Sequence, residues 1–207
     1  MLKKTLLAIS LLALSGAALS APVANLKVTG NITPPTCTVN GQSEDTIVYN
    51  FNVSPDIFPS TGHLTLDGQS QNIEVVCDAT TYLTFTSTDE RAGTELGTGN
   101  TYFGLGTNGA DKIGYYTISM ENATVKESSE ATATKVGVVT GNSAYATSAQ
   151  VNKTQALGWA KSRTQLVPGQ IFAADFVVTP TINSKLKASS GDVQLDGLTV
   201  LTFAFGL

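Results

Sequence analysis

Residues in this chain alternate in character at every second position, and that period restricts what the chain can fold into. Leu26, Val28, Gly30 and Ile32 alternate with Lys27, Thr29 and Asn31. A period of two is the mark of a half-buried β-strand. Ile47, Tyr49 and Phe51 repeat it, as do Ile73, Val75 and Cys77. Tyr82 to Thr86 predicts a further strand, and Gly114 to Met120 another, with Tyr116, Ile118 and Met120 on one face. The last runs from Asp192 to the end, with Leu201, Phe203, Phe205 and Leu207 sharing a face. Gly, Pro and Asn punctuate the runs, and beyond the first twenty residues no segment carries a convincing helical period. Many short strands between turn residues predict an all-β sandwich.

Between these strands the signals are weaker. Thr94 to Gly109 is rich in Gly and Thr and reads as loop. Residues 121–154 are the least hydrophobic stretch and are expected as surface loops or hairpins, with Val136 to Val139 a candidate strand among them. An inter-domain linker is the other reading of that stretch. Ile171 to Ile182 is a long β-rich run in which Pro180 should interrupt regular pairing.

The N-terminus bears on the compartment. Lys3 and Lys4 precede an apolar run from Thr5 to Leu14, and Gly16, Ala18 and Ser20 follow it. That order is expected of a secretory signal peptide over residues 1–20. The run is about half the ~20 residues a bilayer crossing needs. Residues 21–207 are then one exported domain. Without Lys3 and Lys4 the formal net charge moves from −4 to −6. An acidic surface is the wrong sign for nucleic acid. Cys37 and Cys77 are the only cysteines. An even count in an oxidising compartment reads as one disulfide, Cys37–Cys77. A metal site would need more ligands than the single histidine, His63, can add.

Several stretches together resemble a known family. The strand from Leu26 to Ile32, then Cys37 and a second cysteine forty residues on, resembles the start of chaperone–usher fimbrial (pilin) subunits. Phe172 and Phe176, Gly191 and the alternating C-terminal strand resemble their last two strands. Thr33-Pro34-Pro35-Thr36-Cys37-Thr38-Val39, Val76-Cys77-Asp78-Ala79, Arg91-Ala92-Gly93 and Phe103-Gly104-Leu105-Gly106 look like a group of probable fimbrial major-subunit-like bacterial proteins. The resemblance implies an immunoglobulin-like, incomplete pilin-type β-sandwich that lacks its final strand. It implies a structural role in a surface fimbria, assembled by donor-strand complementation. The implied partners are a periplasmic chaperone, an outer-membrane usher and neighbouring subunits, and the location is the periplasm in transit and then the cell surface.

On that resemblance, Val23, Leu26, Val28, Gly30 and Ile32 are the donor-strand candidates. Leu201, Phe203, Phe205 and Leu207 are the candidates for the acceptor groove and for chaperone contact. Only Ala21 to Asn25 precede the first strand of the expected mature chain, a shorter tail than many major subunits carry. Alternation alone favours a different arrangement, a closed sandwich whose first and last strands simply complete the core. A carbohydrate-binding adhesin is the alternative function, with Tyr102, Tyr115, Tyr145 or Trp159 as platforms for host or surface glycans.

Enzymatic chemistry is not expected, and neither is a cofactor or metal. Gly104 to Gly109 fits G-x-G-x-x-G in letters, but a β-type segment follows where a dinucleotide site opens a helix. Gly141-Asn142-Ser143-Ala144-Tyr145 fails as a nucleophile elbow at its last position. Nothing beside His63 supplies a catalytic triad.

Overall fold

The computed structural model describes residues 22–141, 144–189 and 191–205. The expected signal peptide and Leu207 lie outside the described residues. The chain divides into two units, 1–33 and 34–207. Residues 22–33 of the first have no regular secondary structure and expose every side chain. The alternation from Leu26 to Ile32 predicted a strand. A strand needs a partner for its main-chain groups, and this segment pairs with none.

The second unit is all-β, and every strand pair in it is antiparallel. Its main strands are β1 (Cys37–Val39), β2 (Gln69–Thr81), β3 (Leu83–Asp89), β4 (Gly114–Lys126), β5 (Gly137–Thr140), β6 (Leu157–Ser162), β7 (Gly169–Ile182) and β8 (Thr199–Phe205). One sheet runs β1-β2-β7-β4, with short strands on its margins. The other runs β5-β6-β3-β8, with Ala144–Ala146 outside β5. The only helical turns among the described residues are 3-10 turns, Pro55–Ile57 and Ser184–Ala188, capped by Ser54 and Asn183.

The sheets meet face to face through the predicted alternation. Ile73, Val75 and Cys77 are buried from β2, Leu83 and Phe85 from β3, and Tyr116, Ile118 and Met120 from β4. Phe85 of one sheet lies 5.6 Å from Phe176 of the other, ring centre to ring centre, and Trp159 lies 5.6 Å from Phe172. Buried side chains of this size stabilise by about 1.5–3 kcal/mol each. The Trp159 indole N–H donates to the Ala173 oxygen at 2.9 Å, so its one polar atom is satisfied between the sheets. The Cys37–Cys77 disulfide joins residues directly opposite each other on β1 and β2.

Two expectations from the sequence are corrected here. Pro180 does not interrupt β7, for it pairs with Tyr116 within a regular ladder. Its carbonyl faces the short marginal strand Leu64–Thr65 and accepts from the Leu66 N–H at 3.0 Å, so the missing N–H falls on the thinly paired side. Residues 121–154 are not all surface loop. β4 continues to Lys126 with Ala123 and Val125 buried, while β5, which buries Val138 and Val139, falls on the expected candidate strand. The inward face of β4 shifts from even to odd numbers at Asn122, whose φ is +50°. One extra residue is accommodated there opposite Ala173–Asp175, which is a β-bulge.

Candidate functional site

The sandwich is open along one side. An apolar groove of about 1460 Å³ lies between residues 46–53 and β8 with the segment that leads into it. Both lips alternate in exposure, β8 as a strand and residues 46–53 without regular secondary structure, and neither has a strand on its groove side among the described residues.

The first lip is held by side chains where a strand would use its main chain. Gln71 and Gln69, on the edge of β2, donate their Nε2 amides to the carbonyls of Val48 and Asn50 at 2.6 Å each. The Tyr49 hydroxyl donates to the Phe176 oxygen at 2.8 Å. Val48, Asn50 and Asn52 face solvent, while Ile47, Tyr49, Phe51 and Val53 are half-buried against the core. In extended chain the main-chain groups of successive residues point to opposite sides. Val48 and Asn50 give their carbonyls to the sheet, and the main-chain groups of Ile47, Tyr49 and Phe51 have no hydrogen-bond partner among the described residues. Burial pushes the Tyr49 phenol up to about 12.

The second lip is β8, whose only strand partner among the described residues is β3. Glu90 donates its N–H to the Leu198 oxygen at 2.9 Å, which starts the ladder on even-numbered residues. The main-chain groups of Thr199, Leu201, Phe203 and Phe205 are thereby left for the groove. Leu201 and Phe203 are half-buried, and the Phe203 ring sits 5.6 Å from the buried Phe85 of the core. Leu83, Ile118, Phe176 and Val178 line the floor.

Charged residues sit at the end where β8 begins. Arg91 holds Asp196 through two 2.8 Å bonds, Nε to Oδ2 and Nη2 to Oδ1. That bond holds the Asp196 carboxyl below the usual carboxylate range. Behind the pair, buried Asp89 accepts from the Arg91 and Gly104 N–H groups, each at 3.0 Å. Lys153 Nζ stands 3.6 Å from Asp89 and 3.1 Å from Glu95. Burial would raise the Glu95 pKa, but hydrogen bonds from its own backbone, Lys153 and Gly93 prevail and lower it. Tyr116, its phenol pushed by burial up to about 12, shares a 2.6 Å hydrogen bond with Thr199.

Of the residues singled out in the sequence, Leu201, Phe203 and Phe205 line this groove, Phe205 remaining 43% exposed. Val23, Leu26, Val28 and Ile32 are 84% to 104% exposed in the N-terminal unit, and Gly30 beside them is exposed too. The opposite lip carries a sequence signal of its own, the alternation of Ile47, Tyr49 and Phe51, which predicts a strand but not that its edge is free. The glycan-platform candidates lie apart in character, Tyr145 being 44% exposed. Trp159 is buried, Tyr102 and Tyr115 stack on each other at 3.9 Å, and Tyr145 lies against Gly137.

No family model and no curated protein matches this chain. The geometry defines a disulfide-clamped all-β protein of two facing sheets, open over an apolar floor between the free edge of β8 and the segment 46–53.

Proposed function

We propose that this protein is a structural subunit of a bacterial surface fimbria, polymerising by donor-strand complementation after chaperone–usher export. Its sandwich is, on this reading, an immunoglobulin-like fold of the pilin type, one strand short. The observation that carries the reading is the groove, whose two lips each keep a row of main-chain hydrogen-bonding groups without a partner. Such edges invite an added strand. Unfilled main-chain groups beside apolar surface are costly, so an inserted strand stabilises both at once.

The occupant on this reading is the N-terminal segment of a neighbouring copy. Leu26, Val28, Gly30 and Ile32 fall on one face of an extended strand, while strict alternation places Val23 on the other. A strand given to the next subunit and a groove taken from the previous one make a contact that does not close on itself, which builds a filament. A periplasmic chaperone would occupy the same groove before assembly at the usher.

The test is size analysis of the protein recovered from the periplasm, with and without its chaperone. The expected result is a ladder of oligomers or a chaperone-bound monomer, with the ladder lost on deletion of residues 21–32. A stable lone monomer indifferent to the chaperone would overturn the reading.

A further inference from the structure

Resting on that reading, we propose that the Arg91–Asp196 ion pair sets how long a strand the groove accepts, by holding residues 193–198 as a continuation of the β8 edge.

The segment ahead of β8 changes character at Asp196. Residues 191–195 make no hydrogen bond of their own, and only Val193 and Leu195 touch the core. From Asp196 onward the chain is docked. The Asp196 N–H donates to the Leu105 oxygen at 3.0 Å, Leu198 accepts from Glu90, and Thr199 meets Tyr116. Gly197 makes that docking possible, since a Cβ there would stand 2.6 Å from the Tyr116 ring. Arg91 is itself fixed, its N–H on the buried Asp89 carboxylate and its carbonyl accepting from the Thr94 hydroxyl at 2.7 Å. The ion pair therefore ties the first docked residue of the lip to a rigid turn.

The half-buried positions Val193 and Leu195 continue the parity of Thr199, Leu201 and Phe203. With the pair closed, the free edge runs over residues 193–205. At roughly 3.3 Å per residue that edge spans about 43 Å, whereas β8 alone spans about 23 Å. Residues 22–33, the described length of the proposed occupant, span about 40 Å on the same scale. The occupant matches the extended edge and overruns β8 alone. Arg91 is thus a positioning residue for strand capture, acting through Asp196.

The full-length protein, refolded at submicromolar concentration, is titrated with two labelled peptides, residues 22–33 and residues 26–32. The parent protein is expected to prefer the longer peptide by roughly tenfold, the order of effect of several more paired and partly buried residues. D196A should bring that ratio to within about twofold, and the charge exchange R91D/D196R should restore the preference. Asp196 is largely exposed, so D196A keeps the test alive if changes at Arg91 impair folding. A parent protein that binds both peptides equally, or a D196A variant that keeps the full preference, overturns this inference while leaving the functional reading intact. A parent protein that binds neither peptide overturns both.

Discussion

Tyr49 and Phe176 lie 127 residues apart in sequence and are joined by one hydrogen bond, phenol to main-chain oxygen, at 2.8 Å. The bond fixes the groove's first lip to the strand at the centre of its sheet. Tyr49→Phe removes it, while the Phe176 carbonyl keeps its place in the β2–β7 ladder opposite Gln71. The expected cost is about 1 kcal/mol in urea unfolding. Proteolytic cleavage within residues 46–53 should quicken while the amides of β7 stay protected from exchange. Unchanged cleavage in the lip would mean that the glutamine contacts hold it alone.

Tyr49 and Tyr116 both have phenols raised to about 12 by burial. The folded state favours their neutral form. Their contribution to stability is complete below the unfolded value near pH 10 and is lost as pH climbs through about 12. Ultraviolet titration should show at least two tyrosines ionising late, and Y49F and Y116F should each remove one. Ionisation of every tyrosine near pH 10 in the folded protein would refute the assignment.

Phe203→Asp places a carboxylate on the apolar lip. Phe203 is only half-buried and meets Phe85 on one side, so the unfilled protein should lose about 1–2 kcal/mol at most. Association should fail outright, since an incoming strand would have to bury an unpaired charge. Sedimentation of parent and variant side by side decides it. Normal ladders from the variant would argue against this lip as the seat of assembly.

Reducing the disulfide, or Cys37→Ser with Cys77→Ser, opens a loop of 40 residues. The expected loss is roughly 4 kcal/mol on chain entropy. β1 is joined to the first lip through the turn over residues 40–45, so resistance of residues 46–53 to proteolysis should fall together with global stability. A urea midpoint unaffected by reductant would contradict this.

Asp89 is buried, with its two oxygens on main-chain N–H groups and a lysine 3.6 Å away. Asp89→Ala leaves those donors and Lys153 without their acceptor, at a cost of about 3–5 kcal/mol. Lys153→Met alone should also destabilise, and the double variant less than the two losses added. Simple additivity in thermal or urea melts would show that the two side chains do not interact.

Much of the fold was legible because a half-buried strand writes its inward face directly into the sequence. Ile73, Val75 and Cys77, or Tyr116, Ile118 and Met120, could be assigned to the core from parity alone. Parity failed where geometry intervened. The bulge at Asn122 switches the buried face from Met120 to Ala123, so a reading in steps of two stops one residue too early. Pro180 misled for another reason: its effect depends on which neighbouring strand its absent N–H faces, and the sequence does not say. The groove was half legible. Leu201, Phe203 and Phe205 carried the right pattern, but alternation is identical in a paired strand and an unpaired one. For that reason Ile47, Tyr49 and Phe51 passed as an ordinary strand, and Leu26 to Ile32 likewise. Whether an edge has a partner is a property of three dimensions.

Gln69 and Gln71 fasten the first lip with amide hydrogens aimed at carbonyl oxygens. Hydrolysis of either amide to the acid would set lone pair against lone pair at the same two points, with a change of one mass unit and no change in shape. The seam is thus chemically perishable where a main-chain ladder is not, and with age it would part there before the sheets themselves let go.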